Sequence, residues 1–195
     1  LILDLHRRDA GADDLLDRDA PPDMIQAALK PRAATPQRHG SRAAIAAVLS
    51  GLPGEADRDF ALNLAVKAAR RAPGGMTLYI DLSLPGTEAG IALDLELGFG
   101  VQDTLREIAR LDRAFLESAV ARCPRTGLYV MGQSGDAAAW DGPAFAGLLQ
   151  ILRTICDVIV VGYGPFSRGC ILPEDARVFL CCSQRFPSIR AAGEL

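Results

Sequence analysis

The stretch SGLPGEADRDF, residues 50–60, suits phosphate chemistry because its glycines precede a predicted helix. Backbone N–H groups of such a turn, together with the positive end of the helix dipole, can bind an anion. Gly51 and Gly54 could shape the turn, and the helix is predicted to begin at Asp57. A working phosphate loop also needs a lysine and a Ser or Thr at the helix start. This stretch has neither, so it keeps the frame of a phosphate site without the positive charge.

Acidic residues occupy the turn instead. Glu55, Asp57 and Asp59 cluster where the phosphates of a nucleotide would lie, and Arg58 is a single compensating cation that could point outward. Each carboxylate–phosphate pair at ~4 Å costs about 1 kcal/mol in water and about 4 kcal/mol at an effective dielectric of 20. We therefore expect no tight ATP binding. Asp57 is predicted to cap the helix and Asp59 to complement its dipole, so that the turn is stable without a ligand.

Two other residues resemble catalytic groups. Asp81 ends the predicted strand MTLYIDLSL, where α/β sheets place functional residues. It could be a general base, but a structural acceptor for a loop N–H is the favoured interpretation. Ser134 in GQSGD lacks the spacing of a nucleophile elbow, and no histidine follows it in the chain, which excludes a serine hydrolase.

Cysteine and histidine give no sign of a metal site or a disulfide framework. The five cysteines have no C-x-x-C spacing, and the two histidines, His6 and His39, lie in arginine-rich segments without a partner ligand. An odd cysteine count without a framework is typical of a reducing cytosol. We expect no metal and no other cofactor.

Short apolar runs alternate with amphipathic helices after residue 42. This order predicts an α/β fold with a doubly wound, mainly parallel sheet, because runs without polar alternation suit strands covered on both faces. In the helix predicted over 143–155, apolar residues recur at helical spacing and Asp141 is the predicted cap. The predicted strands are 43–51, 76–84, 126–132, 157–164 and 176–183, and the predicted helices are 57–71, 101–111, 112–123 and 143–155.

The first 42 residues differ in character. Residues 1–30 contain two short strand patterns and a closing helix, which predict the C-terminal part of a separate α/β domain. Residues 31–42, PRAATPQRHGSR, read as an exposed linker, and 43–195 as the second domain. Because the chain opens on a strand at Leu1 and stops within a helix, we expect a fragment that is truncated at its C-terminal end.

Bulk properties exclude some classes of partner. The net charge of −3 gives no general attraction to nucleic acid or anionic lipid. No apolar run approaches the ~20 residues that cross a bilayer. We therefore expect a cytoplasmic protein without nucleic-acid binding or direct membrane insertion.

The phosphate-like turn resembles that of a known superfamily. ALNLA, residues 61–65, is similar to the A-x-N-L-A that follows the deviant Walker A motif, K-G-G-x-G-K-T-T, of the MinD/ParA ATPases. Alignment on this match places Leu52 at the signature lysine, Asp57 at the phosphate-binding lysine and Arg58 at the magnesium-binding threonine. The resemblance thus implies a P-loop fold whose turn has lost its phosphate and metal contacts.

Two further motifs of that superfamily are also altered. YIDLSLPG, residues 79–86, resembles the D-x-D switch segment, with Asp81 kept and Ser83 in place of the acid associated with the attacking water. CDVIVVGYG, residues 156–164, resembles a Walker B strand with Gly162 at the acidic position. The resemblance implies a pseudo-ATPase in which Asp81 and Gly162 are vestigial, as are Gly51, Leu52, Gly54, Asp57 and Arg58.

The middle of the chain is similar to the CpaE/TadZ proteins of Tad (Flp) pilus assembly. The order of LDLELGFGVQDTL, LDRAFL and GLYVMG matches theirs, FPSIRAA resembles their helix after the fourth strand, and GADDLL resembles the end of their receiver-like domain. This resemblance implies a non-catalytic adaptor that positions the pilus machinery at a cell pole or the inner-membrane face. Its implied partners are the secretion ATPase and inner-membrane assembly proteins. ATP clamps a dimer through the signature lysine in the superfamily, so a homodimer here would rest on protein contacts, for instance through LDLELGF.

Two alternatives remain open from the sequence. One is an active ATPase of the MinD/ParA type that binds ATP and Mg²⁺ through non-standard phosphate contacts. The other is an unrelated α/β enzyme that binds a different small molecule at the carboxyl ends of the strands. Magnesium-dependent turnover abolished by Asp81→Ala would favour the first, and a ligand bound at the strand ends would favour the second.

Overall fold

The structure is a computed structural model that describes residues 21, 23, 42–52, 56–82, 88–133, 141–164 and 168–195. The chain divides into two units, Leu1–His39 and Gly40–Leu195. The predicted receiver-like segment 1–30, apart from residues 21 and 23, and the linker 31–42, apart from residue 42, lie outside the described residues. Gly54, Glu55, Ser83 and Ser134 lie outside them as well.

Six strands of the second unit form one sheet. They are β1 (Ala44–Ser50), β2 (Thr77–Asp81), β3 (Ala121–Arg122), β4 (Tyr129–Gly132), β5 (Val158–Gly164) and β6 (Arg177–Cys181). Their spatial order is β3-β4-β2-β5-β1-β6. All neighbours run parallel except β3 and β4, which are antiparallel. The predicted doubly wound, mainly parallel α/β sheet is confirmed.

Helices connect the strands and cover both faces of the sheet. They are α1 (Asp57–Arg71), α2 (Glu88–Leu93), α3 (Val101–Arg106), α4 (Arg113–Ala119), α5 (Gly142–Ile155) and α6 (Phe186–Ala192), with a 3₁₀ turn at Ile108–Arg110. One core lies beneath α3, α4 and α5, and the other lies beneath α1 and α2. Every residue of β2 is buried, as a strand covered on both faces requires.

The sequence predicted several elements closely. Helix α1 has the predicted bounds, and the four apolar residues of α5 that recur at helical spacing are all buried. Asp141 accepts a hydrogen bond from the Ala144 N–H at 2.9 Å, which confirms the predicted cap. Within the described residues, no helix has the length and apolar character that a membrane crossing requires.

The prediction of one helix over 112–123 was wrong at its C-terminal end. Helix α4 stops at Ala119, and the chain then forms β3. The reason is the following turn, where the Cys123 N–H donates to the Leu128 carbonyl at 2.8 Å and Gly127 has a φ of 74°. This reversal pairs β3 with β4, and a tertiary strand pairing thereby replaces the last helical turn.

Candidate functional site

Those of the singled-out residues that the structure describes lie at the carboxyl edge of the sheet. Strand β1 leads into Gly51 and Leu52, and Asp81 at the end of β2 pairs in register with Gly162 of β5. The N-terminus of α1 brings Asp57 and Arg58 to the same edge. A small crevice there, about 30 Å³ in volume, is lined in part by Arg58, Asp81 and Tyr79. That volume is far below the roughly 300–1,000 Å³ of pockets that bind small molecules.

Asp57 lies at the first turn of α1 and is only 3% exposed. The prediction that it caps the helix was wrong, because the N-cap is Ala56 and Asp57 is already the first helical residue. Burial raises the pKa of Asp57, while hydrogen bonds from the Ser50 hydroxyl and from the backbone N–H groups of Asp57 and Arg58 act in the opposite direction. A carboxylate thus accepts the backbone donors that a phosphate would engage in a working loop.

Arg58 lies beside the acids of the crevice. Its guanidinium pairs with Glu88 at the start of α2. This pairing is the main cause that raises the Arg58 pKa, and the nearby charges of Asp57 and Asp81 add to it. The positive charge is therefore engaged by the protein's own carboxylates. The contact with Glu88 was not predictable from the sequence, because it joins residues 30 positions apart.

Asp81 is buried and serves as a structural acceptor. Its carboxylate accepts a hydrogen bond from the Ala89 N–H at 3.2 Å, in the first turn of α2. The sequence favoured an acceptor for a loop N–H, and the N–H that Asp81 accepts belongs to helix α2. Together, Asp81 and the Arg58–Glu88 pair fix the start of α2 against the end of β2.

Gly162 faces a buried aromatic ring. A Cβ added at Gly162 would lie 2.9 Å from the Tyr79 Oη and 3.4 Å from the Ala61 Cβ. The first contact is closer than ordinary packing and the second is at its lower limit, so the Tyr79 phenol occupies the space that an acidic side chain at Gly162 would need. Burial raises the pKa of Tyr79 well above its usual value, and the charges of Asp81 and Asp57 raise it further.

Tyr79 was not singled out by the sequence, although two signals could have found it. It stands two residues before Asp81 on β2 and therefore points to the same face of the sheet. A glycine inside an apolar strand run often marks the close approach of another group. Gly162 is such a glycine, and the group is the Tyr79 phenol.

The turn after β1 is packed against the last helix. A Cβ at Gly51 would lie 2.6 Å from the Ala192 backbone N and 2.8 Å from the Ala191 backbone C. Leu52 is half-buried beside it. The end of α6 therefore lies directly on the turn, and Gly51 is needed for this close approach rather than for a positive φ. The sequence did not predict this contact.

Asp59 is exposed on the third residue of α1, at the mouth of the crevice. Within the described part of the chain, no group of three His, Cys, Asp or Glu side chains could hold a metal ion. The residues at this edge do not fit a magnesium–nucleotide complex. The Tyr79 phenol occupies the space beside Gly162, the N–H groups of Asp57 and Arg58 face a carboxylate, and the Arg58 guanidinium is paired with Glu88.

The five cysteines are free, and Cys123 and Cys156 are buried while the other three are half-buried. Burial raises the pKa of Cys156 to about 12, so this thiol is inert at neutral pH. The cysteines lie outside the crevice lining.

No protein-family model matches the chain, and no curated protein matches it. Among solved structures it is similar to a ParA family ATPase from Chlorobium tepidum TLS, with a TM-score of 0.64 and 19% sequence identity. The match covers 80% of this chain and 66% of that chain. At this identity the likeness shows the fold, which is the α/β sheet of the ParA/MinD P-loop type.

Proposed function

We propose that this chain is a non-catalytic, ATPase-like adaptor for the assembly and polar localisation of the Tad (Flp) pilus machinery. The observation that carries the proposal is the small crevice at the carboxyl edge of a ParA-type sheet, lined by the protein's own charged side chains. There the Tyr79 phenol lies where a side chain at Gly162 would project, and the buried Asp57 carboxylate accepts the helix N–H groups. Because the protein's own side chains occupy the ligand site, we infer that the chain acts by binding other proteins.

The electrostatics of the crevice support the loss of ATP turnover. Asp81 is buried in the crevice lining and Asp57 is buried at the start of α1, and each carboxylate would repel a phosphate bound at this edge. Arg58 already pairs with Glu88, so a nucleotide would have to break that pair to use the guanidinium. A bound triphosphate would therefore have one arginine available, which already pairs with Glu88, and it would be repelled by two buried carboxylates.

The pilus assignment rests on the sequence resemblance to the CpaE/TadZ proteins, and the ParA-type fold supports it. The three segments that carry the resemblance correspond to α3, α4 and β4, which follow one another in the expected order. The proposed partners are the secretion ATPase and the inner-membrane assembly proteins of the same machinery. Any homodimer would rest on protein contacts, because Leu52 stands where the superfamily has its signature lysine.

Calorimetric titration with ATP and Mg²⁺ tests the loss of nucleotide binding. We expect no heat of binding at micromolar concentrations and no phosphate release. Micromolar binding would overturn the pseudo-ATPase proposal. Magnesium-dependent turnover that Asp81→Ala abolishes would instead favour the active-ATPase alternative.

Binding to purified Tad secretion ATPase tests the adaptor role separately. We expect a complex by analytical ultracentrifugation that does not change when ATP is added or removed. Absence of a complex with the secretion ATPase and with each inner-membrane assembly protein would remove the pilus role. The ParA-type fold and the closed crevice would stand unchanged.

A further inference from the structure

A second feature of the chain lies beside the crevice, on the outer side of α2. Helix α2 is six residues long, and its Ile91 is 78% exposed. The segment that follows adds the half-buried Leu95 and Leu97 and the exposed Asp94 and Glu96. These five residues, with Gly90, line a surface concavity of about 520 Å³, and we call this surface the α2 patch.

The α2 patch is built on a rigid backbone. The Leu95 N–H donates to the Gly90 carbonyl at 2.8 Å, and the Asp94 N–H donates to the Ile91 carbonyl at 3.3 Å. Asp94 has a φ of 56°, so the helix ends in the left-handed geometry of a Schellman motif. A Cβ at Gly90 would lie 2.8 Å from the Leu95 carbonyl oxygen, which shows how tightly the chain folds back. The concavity is therefore preformed.

The charge of the α2 patch is not neutralised locally. Neither Asp94 nor Glu96 forms an ion pair in the described part of the chain. Acids of the neighbouring helices behave differently, because Asp103, Glu107 and Glu117 each pair with an arginine three or four residues away. The α2 patch thus combines an exposed isoleucine with a rim of unpaired negative charge.

The crevice fixes the α2 patch in place. Asp81 accepts the Ala89 N–H, and Arg58 pairs with Glu88, so the first turn of α2 is anchored to β2 and α1. Ala89 and Leu93 pack into the core beneath α1. The residues that close the ligand site therefore also hold α2 in one position without a bound ligand.

We propose that the α2 patch docks a segment of another protein that carries apolar side chains flanked by Lys or Arg. Ile91 and the two half-buried leucines supply the apolar contact, and Asp94 and Glu96 supply the complementary charge. A phosphate-bearing partner is disfavoured, because the same acids would repel it. This inference rests on the proposed adaptor function, for which a permanently formed docking surface is required.

Fluorescence anisotropy with two labelled amphipathic peptides tests the proposal. One peptide is built from Leu and Lys, and the matched peptide has Glu in place of Lys. We expect the intact chain at physiological salt to bind the Leu/Lys peptide and not the Leu/Glu peptide. Ile91→Asp should weaken the binding by at least about tenfold, which corresponds to about 1.4 kcal/mol.

Charge reversal gives the sharper readout. Glu96→Lys combined with Asp94→Lys should weaken binding of the Leu/Lys peptide and create binding of the Leu/Glu peptide. The matched controls are Ile171→Asp, at an isoleucine that is 47% exposed, and Glu174→Lys, at an exposed acid. We expect both control variants to bind as the intact chain does.

Three outcomes would overturn the proposal. They are no binding of the Leu/Lys peptide, equal weakening by patch and control variants, and a dimer of the intact chain that Ile91→Asp dissociates. The last outcome would make a second copy the occupant. Because no pilus component or nucleotide enters this assay, failure of the docking surface is distinguishable from failure of the proposed function.

Discussion

Replacing Gly162 by alanine tests whether β5 has lost the space for an acidic side chain. The added Cβ would lie 2.9 Å from the Tyr79 Oη, whereas carbon–oxygen contacts of 3.4 Å or more are ordinary. Overpacking of this kind costs about 1–3 kcal/mol. Alanine also restricts the unfolded chain more than glycine does, which stabilises the folded protein by about 0.4–1 kcal/mol. We therefore expect Gly162→Ala to lower the free energy of unfolding by about 1–2 kcal/mol.

A double-mutant cycle with Tyr79→Phe identifies the clash. Removing the phenol oxygen deletes the 2.9 Å contact and leaves the ring carbon Cε2 at 3.5 Å, an ordinary packing distance. In the Tyr79→Phe background, Gly162→Ala should be neutral or stabilising. The coupling energy should be about 1–2 kcal/mol, within the range for residues in contact.

Urea unfolding followed by circular dichroism measures all four members of the cycle. Gly147→Ala in α5 is the matched control, because a Cβ there meets nothing within 4 Å. That substitution should stabilise the chain by about 0.5–1 kcal/mol, the gain of alanine over glycine in a helix. The reasoning is refuted if Gly162→Ala is as stable as the parent, or if Tyr79→Phe leaves its cost unchanged.

Three further predictions concern the same edge of the sheet and the helix beside it. Gly51→Ala should loosen the packing of α6, because the added Cβ would clash with backbone atoms of that helix. We expect faster amide hydrogen exchange over residues 186–192, and unchanged exchange would contradict the prediction. Burial raises the folded-state pKa of Asp57, so stability should fall as pH rises from its ordinary value of 3.8 through the raised value. Asp57→Asn should remove this decrease in stability. The unfolding free energies of variant and parent, measured from acid to neutral pH, test this, and identical pH profiles would contradict the prediction. Asp141→Ala should cost about 1 kcal/mol by removing the α5 cap, and thermal unfolding checks this.

The fold was largely predictable because its signals are local and repeated. Apolar runs without alternation predicted the buried parallel strands, and helical spacing with a cap at Asp141 predicted α5. The strand β3 was missed because its two residues depend on pairing with β4, and a helical pattern runs through them. A pairing of that kind leaves no periodic signal in so short a segment.

The candidate site was predictable in location and only partly in structure. Its place followed from strand ends and a helix start, which order along the chain reveals. Its closure depends on contacts between distant residues. These contacts are Tyr79 with Gly162, Arg58 with Glu88, and Gly51 with the end of α6. None of these pairs has a spacing in the sequence from which the contact could be predicted.

The helix-cap prediction for Asp57 failed for a related reason. Aspartate is common at N-caps, and the residue stands one position from the observed cap. Burial, with a hydrogen bond from Ser50 at the end of β1, places the carboxylate inside the protein instead of on the helix rim. The preference of aspartate for N-cap positions applies to exposed helix ends, whereas Asp57 is buried.

The sheet has an open side at β6. This strand pairs with β1 on one edge, and within the described residues its other edge has no partner. Val178 and Leu180 are about half exposed on it, so apolar side chains lie along this edge strand. Such an edge can template the addition of another strand. In concentrated preparations this strand is thus where aggregation would start, and a lysine in place of Leu180 would act as a gatekeeper against it.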